Sequence, residues 1–170
     1  MKSGRILAPG VVLLSTLTLL LSCGPPPTTG PSDAIAVIPN GGSAKLPLQP
    51  GMPLHNLEFV NDTQVVPGKP IHVSRSGQLV VIGWAVDQDA KSVPGGVDVV
   101  IDGKAYAAET GISRPDVVQV FKVPAYLASG FRFSAPAAAF PPGNHLITVR
   151  VINQARSAYW QGASTSALIQ

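Results

Sequence analysis

The sequence contains a single cysteine, Cys23, among its 170 residues. An intrachain disulfide is therefore excluded, so the folded part must be held together by its hydrophobic core. Runs of lysine or arginine are also missing, so no segment is suited to follow a nucleic-acid backbone. Tryptophan, tyrosine and phenylalanine together number only ten. Because several of these rings must fill the core, few are left for a binding surface.

The residue types that commonly build active sites are scattered. Three histidines, His55, His72 and His145, lie in separate segments without an H-x-H or H-E-x-x-H pattern, so they indicate no zinc site. No Gly-x-Ser-x-Gly elbow occurs that would hold a Ser-His-Asp triad. The glutamates are only Glu58 and Glu109, and most aspartates fall at predicted turns rather than in a glycosidase-like pair. The sequence predicts a non-catalytic protein without a cofactor.

The first 22 residues have the parts of an export signal in the expected order. Lys2 and Arg5 provide the positive start, and the apolar run over residues 6–21 provides the hydrophobic region. A Pro-Gly pair interrupts this run and three prolines follow shortly after it. A membrane-spanning helix is therefore the weaker interpretation.

The signal ends in Leu20, Leu21, Ser22 and Cys23. These residues resemble the lipobox of bacterial lipoproteins, with a leucine three positions before the cysteine and a small residue directly before it. The resemblance implies cleavage after Ser22, acylation of Cys23 with palmitate-type chains, and a lipid-anchored protein of the cell envelope. It also implies that Gly24, in place of aspartate, favours the outer membrane over the inner one if the host has both. An ordinary secretory signal with an incidental cysteine is the alternative.

Loss of the signal peptide changes the charge balance. The whole chain has 12 basic and 9 acidic residues, and Lys2 and Arg5 belong to the signal. Ten basic residues then stand against nine acidic ones, so the mature chain is nearly neutral. A nucleic-acid partner is therefore not predicted.

Residues 23–53 are predicted to form a lipidated tether rich in proline and glycine. Eight prolines in this stretch would interrupt any helix or strand ladder. A chain of this length reaches about 30 to 90 Å, between the limits of a random coil and a polyproline helix. The apolar residues 34–38 are an alternative docking segment that could pack on the domain.

Residues 54–170 are predicted to form one all-β domain. Short runs rich in valine and isoleucine alternate with glycine, proline, aspartate and asparagine, and no long helical period appears. We expect an immunoglobulin-like antiparallel β-sandwich of six to eight strands, although a barrel would share this pattern.

The strand predictions can be made residue by residue. Residues 78–86 should place Trp84 in the core as its anchor, on one face with Val80, Ile82 and Val86. The pair Asp102-Gly103 should form a tight hairpin turn between two strands. Further inward-facing side chains are expected from the alternation elsewhere: Val97, Val99, Ile101, Phe131, Phe133, Ile147, Val149 and Val151. Residues 158–169 should close the domain as its last strand.

Several short motifs lie along the predicted strands and turns. They are Gly83-Trp84-Ala85-Val86-Asp87, Asp102-Gly103, Arg114-Pro115-Asp116-Val117, Ser129-Gly130-Phe131 and Gly143-Asn144-His145. These motifs are similar to those of a bacterial immunoglobulin-like module found in cell-surface and secreted proteins. The similarity covers about residues 80–155 and implies a β-sandwich accessory or binding module, with no catalytic residue to transfer.

The motif at residues 114–117 has a structural interpretation. Pro115 suits the first turn of a short helix, and Asp116 suits capping of its backbone N–H groups. Arg114 should then pair with a nearby carboxylate. Contact of Arg114 and Asp116 with a ligand is the alternative interpretation.

Two kinds of ligand site are considered. Asp87 and Asp89 follow a predicted strand and could join Asp98 or Asp116 in a calcium site, although a solvated turn explains them better. Tyr159 and Trp160 should point to opposite faces of a strand, so one ring should be exposed for stacking on a sugar. Tyr106 and Tyr126 are further candidates for such stacking.

These observations predict a lipid-anchored envelope protein that acts as a non-catalytic protein-interaction or scaffolding module. A carbohydrate-binding module at the cell surface is the alternative. The expected partners are the membrane, through the lipid on Cys23, and another envelope protein or a glycan.

Overall fold

Two five-stranded β-sheets pack face to face in the computed structural model, which describes residues 37–170. One sheet has the strand order β2-β1-β4-β8-β7 and the other β3-β10-β9-β5-β6. Numbered along the chain, the strands are β1 (Leu54–Val60), β2 (Thr63–Gln64), β3 (Ile71–Val73), β4 (Gln78–Val86), β5 (Gly96–Ile101), β6 (Lys104–Ala107), β7 (Glu109–Ile112), β8 (Gly130–Pro136), β9 (Gly143–Ile152) and β10 (Tyr159–Ile169).

The predicted β-sandwich is confirmed. The strands pair antiparallel except for β3, which runs parallel to β10. Ten strands are present instead of the expected six to eight, partly because β2 and β3 have only two and three residues. The one α-helix of the described residues, α1 (Pro115–Phe121), lies between β7 and β8 in the sequence. Across residues 37–170 no helix is both long and apolar enough to pass through a membrane.

The core between the sheets contains the inward-facing residues expected from strand alternation. Each large aliphatic or aromatic side chain buried there stabilises the fold by roughly 1.5–3 kcal/mol. The predicted members that are confirmed are Val97, Val99, Ile101, Phe131, Phe133, Ile147, Val149 and Val151. The predicted hairpin turn is also confirmed, because Asp102 and Gly103 adopt φ of 48° and 82° between β5 and β6.

Strand β4 is turned over relative to the prediction. Leu79, Val81 and Ala85 face the core, whereas Trp84 is half-buried on the other side of the sheet. There Trp84 packs edge-on against Phe121 of α1, with 5.5 Å between the ring centres. The placement of Trp84 as anchor of the main core is therefore wrong. Both faces of β4 are apolar because α1 covers the second one, and Trp84 lies on that second face.

The folded part begins before residue 54. Residues 40–49, which we call the strap, are bonded across the outer side of the second sheet, from β6 to the start of β10. The strap includes a 3₁₀ turn at Gly42–Lys45. Val37 also packs against the core, whereas residues 34–36 of the proposed docking segment lie outside the described residues. The predicted boundary between tether and domain at residue 54 is thus too late.

Candidate functional site

The outward side of the first sheet carries a mixed apolar and charged surface. Phe59 of β1, Ile82 of β4 and Arg132 of β8 are direct cross-strand neighbours in one row. Trp84 lies one step further along the same side of β4. Phe59 is 39% exposed and Arg132 is exposed, while Ile82 and Trp84 are half-buried. We call these four residues the outer face.

A shallow depression of about 340 Å³ adjoins the outer face. Its lining comes from β4, β8 and the turn after β1: Asn61, Asp62, Gln78, Val80, Ile82 and Arg132. Within residues 37–170, Arg132 has no carboxylate within 4.0 Å. The depression therefore combines two aliphatic side chains with polar ones, among them Asp62, and Arg132 lies opposite Glu109 of β7 without an ion pair within 4.0 Å.

Arg114 closes one end of this surface. Its Nη1 and Nη2 donate to Oε2 and Oε1 of Glu58 at 2.7 and 2.9 Å. Its Nε and Nη2 donate to Oδ1 and Oδ2 of Asp116 at 2.9 and 2.6 Å. Hydrogen bonds from the Arg114 guanidinium lower the pKa of Asp116 to about 2, and the same contacts raise the pKa of Arg114.

The predicted pairing of Arg114 with a carboxylate is confirmed, and it has two partners. The side chain passes over Gly130, where an added Cβ would lie 3.1 Å from Arg114 Cγ. Helix α1 starts at Pro115, as expected. Four of the five guanidinium N–H groups thus donate within the domain, so Arg114 positions α1 rather than offering a free cation.

Beyond Arg114 the surface remains apolar. Ile112, Val120 and Leu127, in and around α1, are 36%, 72% and 49% exposed. The backbone N–H of Arg114 donates to the carbonyl of Leu127 at 2.6 Å and ties the two flanks of α1 together. Exposed aliphatic groups therefore continue from the sheet to the helix.

The aromatic residues proposed for sugar stacking are buried. Trp160 faces the core, and Tyr106 packs there against Phe133 and Phe140 with ring centres 5.7 and 6.0 Å apart. Tyr159 points outward as expected, but it is only 9% exposed. The strap is bonded to its backbone, and the Arg150 guanidinium lies 4.8 Å from its ring centre. The expectation that one ring of the Tyr159–Trp160 pair is exposed is wrong.

The carboxylate of Asp87 organises loops. Its Oδ1 accepts the backbone N–H groups of Asp89 and Ala90, and its Oδ2 accepts that of Gln154 at 2.8 Å. Asp98 and Asp116 have other partners, so the calcium cluster considered with Asp87 and Asp89 does not assemble. In the described part of the chain, no three His, Cys, Asp or Glu side chains form a group suited to a metal ion.

The histidines also have structural surroundings. His145 is buried, with Nδ1 2.6 Å from Asp102 Oδ2 and Nε2 2.8 Å from the Pro141 carbonyl. Burial acts against the charge on Asp102, but hydrogen bonds from the Leu146 N–H and from His145 outweigh it and lower the pKa of Asp102. Burial lowers the pKa of His55, which hydrogen-bonds the Pro53 carbonyl through Nδ1.

Sequence reasoning missed the outer face. The available signal was the double apolar character of residues 78–86, since a strand with two apolar faces needs a cover on both. The proposed lipid site, Cys23 with Leu20, Leu21 and Ser22, lies outside the described residues.

Comparison with known proteins identified no matching family model and no matching curated protein. The chain has a structural similarity to an endo-beta-1,4-mannanase from Thermotoga petrophila, with 12% identity and a TM-score of 0.41 over 62% of this chain. It spans only 18% of that mannanase chain. It is also similar to the fibronectin(III)-like modules of Clostridium thermocellum CbhA, with 17% identity and a TM-score of 0.37 over 68% of this chain and 93% of that one.

Proposed function

We propose that this chain is a non-catalytic module of the bacterial cell envelope that binds a protein partner through its outer face. The observation that carries the proposal is the row of Phe59, Ile82 and Arg132 across three neighbouring strands. Aromatic side chains and arginine are enriched at the centre of protein interfaces, where the buried area is more apolar than the rim.

A carboxylate of the partner would contact Arg132, the cation of the outer face, which lies opposite Glu109 of β7. Arg132 is exposed beside the apolar row, and an acidic group could reach it without first breaking an ion pair within residues 37–170. Glu58 and Asp116, in contrast, share the single guanidinium of Arg114, so this cluster keeps one net negative charge. The acidic side chains Asp87 and Asp98 bind backbone N–H groups and serve the architecture.

Site-specific photo-crosslinking tests this binding surface. A benzophenone amino acid in place of Phe59 should yield one discrete crosslinked protein in intact cells, and Arg132→Glu should reduce its yield by about tenfold, as expected for reversing a charge at a hot spot. The same probe in place of Leu146, a 58% exposed residue on the other sheet, is the matched control. Equal crosslinking from positions 59 and 146, or indifference to Arg132→Glu, would contradict the proposal.

We also propose that Cys23 anchors the module to the membrane, with the outer membrane as its place in a host that has one. Since the described fold starts by residue 37, the fourteen residues 23–36 separate it from the anchor. Fully extended, they span at most about 50 Å. The domain would therefore work close to the lipid surface, nearer than a tether ending at residue 53 would place it.

Mass spectrometry of the mature N-terminus tests the anchor. Cys23 should be the first residue and carry acyl chains, and globomycin should make the uncleaved precursor accumulate. Cys23→Ser should release the protein from the membrane fraction, because anchoring depends on about 0.8 kcal/mol per buried methylene of the acyl chains. An unmodified Cys23 would contradict the proposal, whatever the crosslinking shows.

A glycan array distinguishes the protein partner from a carbohydrate ligand. Tyr106, Tyr159 and Trp160 are buried, so their ring faces are not available for stacking on a sugar. We expect no saturable glycan binding. A glycan whose binding is lost in a variant with Phe59→Ala would assign the outer face to carbohydrate instead.

A further inference from the structure

The strap is held almost entirely through its backbone. At one end the Gly41 N–H donates to the Ala105 carbonyl at 3.0 Å, and the Asn40 Oδ1 accepts the Ala107 N–H at 3.0 Å. At the other end the Tyr159 N–H donates to the Pro47 carbonyl at 3.0 Å, and the Gln49 N–H donates to the Tyr159 carbonyl at 2.7 Å. The strap therefore bonds both to β6, at one edge of the sheet, and to the start of β10.

Between these ends the strap meets a buried carboxylate. Asp98 of β5 is 1% exposed, and its Oδ2 and Oδ1 accept the N–H groups of Ser43 and Gly42 at 2.7 and 3.1 Å. A carboxylate buried in this way is costly unless its oxygens are hydrogen-bonded. Both hydrogen-bond donors to Asp98 thus come from a segment that lies 55 or more residues away in the sequence.

The site also restricts which residue can lie at position 41, near the start of the strap. A Cβ added to Gly41 would lie 2.5 Å from the Ala105 Cβ and 2.7 Å from Asp98 Oδ2. Contacts this short force the backbone away from the sheet, so position 41 must be glycine for the strap to dock. A site that binds an extended peptide through its backbone, and that accepts only glycine at one position, would show the same two features.

The strap can be separated from the sandwich more readily than a core strand. Asn40, Gly42 and Leu46 line one side of a cleft of about 400 Å³ whose other side includes Gly95 and Ile152. The link from the strap to β1 includes Gly51, whose φ is +96° and which has open space around it. Few buried apolar contacts and an open link lower the cost of local release.

From these contacts we infer that the outer side of the second sheet is a binding site for an extended, glycine-containing peptide, filled in each chain by its own strap and able to accept the strap of a second copy. The second copy is the occupant because its strap reproduces every contact that holds the first. Exchange of identical segments costs only the opening of the link and the association of two chains. This site is distinct from the outer face, which belongs to the first sheet.

Peptide binding in trans tests the inference. The probe is a fluorescein-labelled peptide of residues 37–50, and the receptor is the full chain purified in detergent. Gly41→Val prevents docking of the chain's own strap and leaves the acceptor residues unchanged. Fluorescence anisotropy should show saturable binding of the peptide to Gly41→Val at least about tenfold tighter than to the wild type, which corresponds to roughly 1.4 kcal/mol of relieved competition.

Matched controls define the acceptor. Adding Asp98→Asn to Gly41→Val should weaken peptide binding by at least about tenfold, because the amide group presents N–H to one of the two strap N–H groups. A peptide that itself carries Gly41→Val should not bind. Saturable binding that ignores either change, or no binding to a Gly41→Val chain with wild-type circular dichroism, would overturn the site.

A variant with a smaller change than Gly41→Val tests the site in a protein whose fold is less disturbed. Asn40→Ala removes only the contact with the Ala107 N–H and should raise peptide affinity above the wild-type value; an unchanged affinity would overturn the site.

Exchange of straps between two copies is tested by mixing separately labelled wild-type chains, which should give concentration-dependent energy transfer, whereas Gly41→Val chains should not. Peptide binding without energy transfer would overturn the second copy as the partner.

Discussion

Asp98→Ala is expected to lower the free energy of unfolding by about 2–4 kcal/mol, because it removes a charged acceptor from the buried hydrogen bond of the Ser43 N–H and from the part-buried one of the Gly42 N–H. The carboxylate is 1% exposed and bonds to Gly42 and Ser43. Asp98 and Gly42 also line the cleft beside the strap, so water that enters from the cleft would replace a charged acceptor by a neutral one. The variant therefore either keeps weaker hydrogen bonds to water or releases the strap, and release is the response that we expect.

Urea unfolding followed by fluorescence measures the loss of stability, and hydrogen exchange locates it. The amides of residues 41–43 and of Ala105 should lose protection in Asp98→Ala while those of β9 keep theirs. Asp89→Ala is the control, since Asp89 is an exposed residue in the neighbouring loop. If the two variants unfold at the same urea concentration, Asp98 does not hold the strap.

The parts of the fold that the sequence predicts well are those determined by local chemistry. The Asp102-Gly103 turn requires positive φ at both residues, which few other pairs tolerate. These two residues are therefore enough to predict the hairpin of β5 and β6. Strand β9 alternates Ile147, Val149 and Val151 with more polar residues, and this alternation specifies which side faces the core.

Strand β4 shows where alternation fails. Leu79, Val81 and Ala85 compete with Val80, Ile82 and Trp84 for the core, and size alone favours the set that contains tryptophan. The deciding fact is that α1 and Phe121 cover one side of the sheet next to Trp84. Because α1 begins about 30 residues after β4 in the sequence, the residues of β4 alone do not indicate which of its faces the helix covers.

The predictions of the domain boundary and of an exposed ring at Tyr159 or Trp160 are wrong for a related reason. Proline and glycine between residues 40 and 51 indicate a segment without a long helix or strand, and the strap has only a 3₁₀ turn and one bridge to β10, but these residues carry no information about docking. Docking depends on Asp98 and on the start of β10, and it is also what covers Tyr159. One long-range contact therefore accounts for both the late domain boundary and the mistaken exposure of an aromatic ring.

Gly83→Ala is expected to be among the most damaging single-methyl additions in the domain. Gly83 lies on β4 opposite Leu57 of β1 and Phe131 of β8, at a point where the pairing of β1 shifts by one residue. An added Cβ would overlap the backbone carbonyl of Asn56 and lie 2.8 Å from the Phe131 ring. A side chain could rotate away, but the Asn56 carbonyl belongs to the neighbouring strand, so β1 itself would have to move.

The expected loss in the free energy of unfolding is about 3 kcal/mol, at the upper end of the cost of overpacking a core. Gly77→Ala is the matched control, because its added Cβ would meet the Ser74 carbonyl at an ordinary 3.5 Å, and it should leave stability unchanged or raise it by up to about 1 kcal/mol. Urea unfolding compares the two. Because β1 also supplies Phe59 to the outer face, Gly83→Ala should reduce crosslinking from position 59 as well as stability, whereas Gly77→Ala should change neither. A Gly83→Ala domain as stable as wild type would show that β1 and β4 are further apart than the pairing of Leu57 with Gly83 requires.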